Sequence, residues 1–124
     1  MAAAPLQYTV ASARELLAVL LPTLDEIVAL RADTAELAAA VTTGAATDLG
    51  RMPEYKAAQA RLDELVTELT THDVQVKGLA PLLLDFPSEF DGVPVLLCWL
   101  EGDRELTWYH RTDLGFAGRR PIPD

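Results

Sequence analysis

From Leu16 onward, apolar or small positions recur at alternating steps of four and three: Leu16, Leu20, Thr23, Ile27, Leu30, Thr34, Leu37 and Val41. A second row at Leu17, Leu21, Leu24 and Val28 widens the stripe over its first half, and from Ala35 to Ala40 it thins to small residues. This spacing predicts one long amphipathic helix, Val10 to Val41, with a heptad seam and the Thr9 hydroxyl as its N-cap. Pro22 has no amide proton and crowds the preceding turn, so a kink or break is expected near Leu21. Thr42 to Met52, with Gly44 and Gly50, reads as a loop. Pro53 and Glu54 suit the opening turn of a second helix, whose seam is Tyr55, Ala58, Leu62, Leu65 and Leu69. Two such helices joined by about ten residues form an antiparallel hairpin.

At His72 the period changes to two. Val74 and Val76 alternate with Gln75 and Lys77, Leu82 to Leu84 leads into Asp85-Phe86-Pro87, and Val93 to Leu100 is nearly all apolar. Leu106 to Arg111 is partly aromatic, and Glu101-Gly102-Asp103-Arg104 before it supplies turn chemistry for a β-hairpin. Pro94 suits a strand start that needs no ladder donor. The predicted fold is α+β in a single domain, residues 1–124. An antiparallel helical hairpin (9–71) packs on a three- or four-stranded, mainly antiparallel C-terminal sheet, and the sheet region with its tail spans 72–124. A helix from Val10 to Val41 is ~48 Å long, whereas a compact domain of this size is about 35 Å across. The excess predicts that Pro22 folds the helix back or that its stripe meets a second copy, and a homodimer through the helix seam is the expectation.

Charge narrows the partners. The formal net charge is −9; residues 63–124 hold twelve acids against five bases, and residues 1–62 hold seven against five. A polyanion is bound by neutralising it with Lys and Arg, so nucleic acid is excluded. The partners left are a small anionic ligand or a basic protein. A single Cys permits no internal disulfide, and Met1 to Pro5 has no basic segment followed by an apolar one. The apolar run Leu16 to Leu21 is far too short to span a bilayer. A cytoplasmic protein with no membrane partner is expected.

Special side chains crowd into the C-terminal third: six of the eight aromatic residues, the Cys and one of the two His lie between Phe86 and Phe116. His72, Asp73, Cys98 and His110, together with Asp85, are ligand types that suit a divalent metal such as zinc or iron. A two-residue Gly102-Asp103 turn would set Val95 opposite His110 and Cys98 opposite Thr107, putting Cys98 and His110 on opposite sheet faces. It would also put Trp99 and Trp108 on one face. A three-residue loop or a bulge reverses that parity. Asp85 and His110 are the candidate catalytic residues, a His acting as general acid or base with a carboxylate orienting it. Gly115, Gly118, Arg119 and Arg120 form a candidate anion-binding segment, since glycines admit close approach and guanidinium pairs with oxyanions.

Thr9-Val10, Val76-Lys77, Leu83 to Pro87, Leu97-Cys98-Trp99, Trp108-Tyr109-His110 and Gly115 to Pro121 occur in the order found in a bacterial domain of unknown function, DUF2203, which the chain resembles from Thr9 to Ile122. Acids common near the first helix start in that family are replaced here by Ala11 and Ser12, and its Gly and Asp by Asp73 and Gly78. The resemblance implies the α+β architecture and brings no activity with it. Two functions follow from the residues. One is a non-enzymatic, dimerising interaction or scaffold domain, inferred from a long apolar seam and no assembled catalytic constellation. The other is a small-ligand or metal site, catalytic in the fuller version, built from Asp85, His110 and Arg119.

Overall fold

The structure, a computed structural model, describes residues 7–43 and 51–123. Helix α1 spans Val10–Thr43 and α2 spans Arg51–Thr71; strands follow at β1 (Gln75–Leu79), β2 (Leu82–Phe90), β3 (Val93–Leu100), β4 (Trp108–Arg111) and β5 (Arg120–Pro121). A short 3-10 turn, Phe116–Gly118, lies between the last two strands. The expected loop from Thr42 to Met52 is helical at both ends, and its centre, with both glycines, lies outside the described residues, as does Met1 to Pro5. Among the described residues no helix is long and apolar enough to cross a membrane.

The chain divides into two compact units. One comprises the residues up to Leu21 with those from Leu69 onward, and the other is Pro22–Glu68. The start of α1 therefore belongs with the sheet, not with the rest of the hairpin. Pro22 sits inside α1 without ending it. It leaves one carbonyl, that of Ala18, without its helical donor, and Ala18 is exposed, so water can supply the missing bond. The expected break is absent, and the unit boundary falls at this proline instead.

In the helical unit, α1 and α2 run antiparallel, and Arg61 on α2 forks onto Glu26 on α1 at 2.9 and 3.2 Å. Leu24, Ile27, Leu62 and Leu65 are buried. This stretch of the seam is thus core, while Val19 and Leu21, which belong to the other unit, are exposed.

In the sheet unit, Thr9 caps α1 as expected: its Oγ1 accepts from Ser12 N at 3.0 Å and Ser12 Oγ accepts from Thr9 N at 2.9 Å. This reciprocal pair satisfies helix-start donors that have no partner within the helix. The sheet is an antiparallel meander, β1-β2-β3-β4-β5. It has five strands rather than three or four; the extra one, Arg120–Pro121, is too short to show a period. Asp91 and Gly92, both at positive φ, join β2 to β3 in a two-residue turn, whose backbone twist matches that of the strands. One face carries Leu84, Phe86 and Ser88 opposite Trp99, Leu97 and Val95, all buried. On this face Tyr8 meets Phe86 edge-on at 5.7 Å, Tyr8 N donates to Pro87 O, and Ser88 Oγ donates to Tyr8 O.

The β3–β4 connection is not a two-residue turn but the loop 101–107. Asp103 Oδ2 accepts from Leu100 N, Asp103 O accepts from Trp99 Nε1, and Leu106 leaves the ladder to be buried, its carbonyl accepting from Arg14 Nε. Cys98 therefore pairs with Trp108, and Leu96 with His110. This one-residue change in register turns the second tryptophan over, so Trp99 and Trp108 lie on opposite faces.

Leu97 is fully buried at the centre of the sheet, whereas Val93 at the strand start is 42% exposed. Leu97→Ala should cost about 2–5 kcal/mol in urea unfolding, and Val93→Ala less than about 1 kcal/mol.

Candidate metal centre

Three neighbouring strands each place one chemically active side chain on the second sheet face. Asp85 of β2 stands directly opposite Cys98 of β3, and Cys98 opposite Trp108 of β4; His110 lies two residues further along β4. The expectation that Cys98 and His110 point to opposite faces is therefore reversed. Asp85, Cys98 and His110 are all buried, and one donor atom from each lies within 4.8 Å of the others.

His110 is held at both nitrogens. Nδ1 is 2.9 Å from the Arg111 carbonyl and Nε2 is 3.3 Å from Asp85 Oδ2. A carbonyl only accepts, so Nδ1 carries a proton and Nε2 faces the carboxyl group. A second proton must then lie between Nε2 and Asp85. Burial pushes the Asp85 carboxyl above the ordinary carboxylate range, against the opposing pull of His110, Cys98 and Lys77. Its other oxygen, Oδ1, is buried without a hydrogen-bond partner. Burial, and then the Asp85 carboxylate, push the Cys98 thiol up to about 12, with Arg119 opposing. Burial and Asp85 thus disfavour the Cys98 thiolate, and both a carboxyl and a guanidinium act on this thiol.

Arg119 comes from the segment after β4. Its guanidinium carbon lies 4.5 Å from the Trp108 ring centroid and 4.6 Å from that of Phe116, and its Nη1 is buried without a partner. The two glycines of this segment shape its path. Gly115 adopts φ 69°, ψ −169°, a conformation open essentially to glycine alone. A Cβ on Gly118 would lie 2.7 Å from Leu114 Cβ. Neither glycine is seen to form an anion cradle, and Arg120 is exposed on β5. His72 and Asp73 lie in the turn after α2, where the His72 carbonyl accepts from Tyr8 OH, and neither belongs to the donor group.

Asp85 is already among the metal-ligand types read from the sequence, and one further signal in the chain places it opposite Cys98. An Asp-Gly pair between two apolar runs marks a two-residue hairpin turn, and a turn at 91–92 sets Asp85 opposite Cys98.

The family model described as "Uncharacterized conserved protein (DUF2203)" matches residues 7–122. No curated protein and no solved structure matches the chain.

Two outcomes follow from this environment. Native Cys98 should resist thiol reagents at neutral pH and react once the chain is unfolded, which a colorimetric thiol assay in the presence and absence of denaturant reads directly. The raised Asp85 carboxyl has a definite sign: the folded state holds that proton more tightly than the unfolded chain does. Its contribution is present at low pH and is lost as pH rises from the ordinary value of 3.8 through the raised one. Asn at this position can donate to the His110 Nε2 lone pair and carries no charge. Asp85→Asn should flatten that part of the pH profile and stabilise the metal-free protein at neutral pH by about 1 kcal/mol. A loss of stability there would instead mark a well-compensated carboxylate–imidazolium pair.

Proposed function

The chain belongs to the DUF2203 family, and we propose that its Asp85–Cys98–His110 group binds a transition-metal ion. The observation that carries this reading is the convergence of a carboxyl, a thiol and an imidazole within 4.8 Å at buried positions on three adjacent strands. The hydrogen bond that holds His110 from behind supports it. A metal-ligating His typically donates its other ring N–H to a carbonyl or carboxylate, which fixes the tautomer. His110 Nδ1 is anchored in that way on the Arg111 carbonyl, leaving Nε2 aimed at the group.

Mixed sulfur, nitrogen and oxygen donors suit zinc or ferrous iron rather than magnesium or calcium. In tetrahedral coordination the donors sit about 3.5 Å apart, so those now furthest apart close in by about 1 Å when the ion enters. Three protein ligands leave a fourth position open, the arrangement in which a metal polarises a bound ligand rather than only bracing the fold. The reading is thus a small metal-dependent binding domain, and the position of Arg119 beside Cys98 makes it part of the same surface.

The alternative, a scaffold that dimerises along the helix seam, rests on exposed Val19 and Leu21. It predicts a sedimentation coefficient that falls to the monomer value when both residues are changed to Gln.

The metal reading is tested by elemental analysis of the purified native protein and by cobalt substitution. About one zinc or iron per chain is expected, together with a thiolate-to-cobalt charge-transfer band that Cys98→Ser abolishes. Asp85→Asn and His110→Gln should each weaken metal binding by about tenfold or more. Saturating zinc should raise the melting temperature of the native protein but not of Cys98→Ser. A native protein that takes up neither metal, and whose melting point ignores both, would overturn the reading.

A further inference from the structure

Arg119 is a cation without a counter-charge: it forms no ion pair with a carboxylate among the described residues, although the chain carries nineteen acids. Two aromatic rings hold it in place, which gives it a fixed position but no charge partner. Its Nη1 donor is buried and unpartnered. An unsatisfied buried donor on a charged group is costly, and such groups are ordinarily bonded. The orphaned acceptor on the same sheet face is Asp85 Oδ1. The two orphans are of opposite kinds, yet they do not satisfy one another.

From these observations we infer that Arg119 is the anchor of an oxyanion subsite beside the metal, taking a small carboxylate or phosphate that fills the open coordination position. This inference rests on the metal reading above. Each orphaned atom then has a role: Asp85 Oδ1 is free to ligate the ion, and Arg119 Nη1 donates to an oxygen of the anion. The charges agree as well. A divalent ion with one thiolate, one carboxylate and a neutral imidazole is locally neutral, so the guanidinium supplies the positive charge that an anionic fourth ligand requires. Guanidinium is suited to this task because its donors lie in one plane and match two oxygens of one anion. Trp108 and Phe116 keep that plane from wandering, and Gly115 and Gly118 let the segment that carries Arg119 turn onto the sheet.

The test uses the full-length protein loaded with cobalt to saturation and titrated separately with acetate and inorganic phosphate, read by the visible bands of the metal. In the native protein one or both anions should shift the bands saturably, and the tighter of the two identifies the ligand class. In Arg119→Gln, measured at its own saturating cobalt concentration, the apparent dissociation constant should rise about tenfold or more, the scale of one lost charge-assisted hydrogen bond. Arg119→Lys keeps the charge but not the planar fork, so its affinity should fall between the two, and it serves alone if the Gln variant fails to fold. Cobalt bands that neither anion moves, or that move equally in native protein and variants, would overturn the subsite while leaving the metal reading intact. Failure of the native protein to take up cobalt would overturn both.

Discussion

The register of the β2–β3–β4 meander is the constraint on which the rest of this protein depends. Side chains on a strand alternate faces, so a shift of one residue moves every group to the other side of the sheet. Asp91-Gly92 locks β2 against β3, and the loop 101–107 locks β3 against β4, through the Asp103 side chain on Leu100 N and the departure of Leu106 into the core. Together they bring Asp85, Cys98 and His110 to one face. Shift either turn by one residue and the carboxyl, thiol and imidazole no longer meet. The chemistry is written by turn geometry as much as by the three residues.

The two faces of the sheet have opposite energetic characters. Leu84, Phe86, Leu97 and Trp99 make one face mainly apolar, and Tyr8 closes onto it, bonded by the buried hydroxyl of Ser88 there. Burying such side chains stabilises a domain by roughly 1.5–3 kcal/mol each. The other face buries an acid, a thiol and an imidazole where apolar residues would fill the same space without a desolvation penalty. An unsatisfied buried oxygen costs about 1–3 kcal/mol, a sizeable part of a net stability of about 5–15 kcal/mol. A fold that only needed bracing would gain by replacing this trio with Leu and Val. Its presence on a sheet already braced from the opposite side is an argument for ligand chemistry, not for architecture.

Much of the architecture is legible in the sequence. The long first helix and its Thr9 cap, the second helix, and four of the five strands follow from the spacing of apolar positions and from capping chemistry. What is not legible has physical reasons. Pro22 looks like a helix breaker, but its lost hydrogen bond falls on an exposed turn where water can replace it. The two-residue strand β5, paired with Trp108 and Tyr109, is too short to show a period. The β3–β4 register fails by one residue because Gly102-Asp103 looks like a hairpin turn, whereas Asp103 folds back onto the end of β3. That single residue separates ligand types on opposite faces of the sheet from a donor group on one face. At the other turn the information is present in the chain: Asp91-Gly92 predicts the Asp85–Cys98 pairing directly.

Arg119 favours reading the site as an arrangement of ligand types and charge over reading it as a buried hydrogen-bond network built for stability. In a network built for stability, the guanidinium would pair with one of the many carboxylates, gaining a bond to each free donor. Instead it is stacked on Trp108 and Phe116 and placed against a thiol, a poor partner for a cation unless that thiol is ionised. Burial and Asp85 together push the thiol up, so the guanidinium faces a neutral group. On the proposed reading, a divalent ion held by Asp85, Cys98 and His110 would change both sides of that contact at once. The thiol would give up its proton to solvent on coordination, and the cation would gain a thiolate neighbour. The three-strand register that buries these polar groups at a cost is the same one that would make them a ligand set.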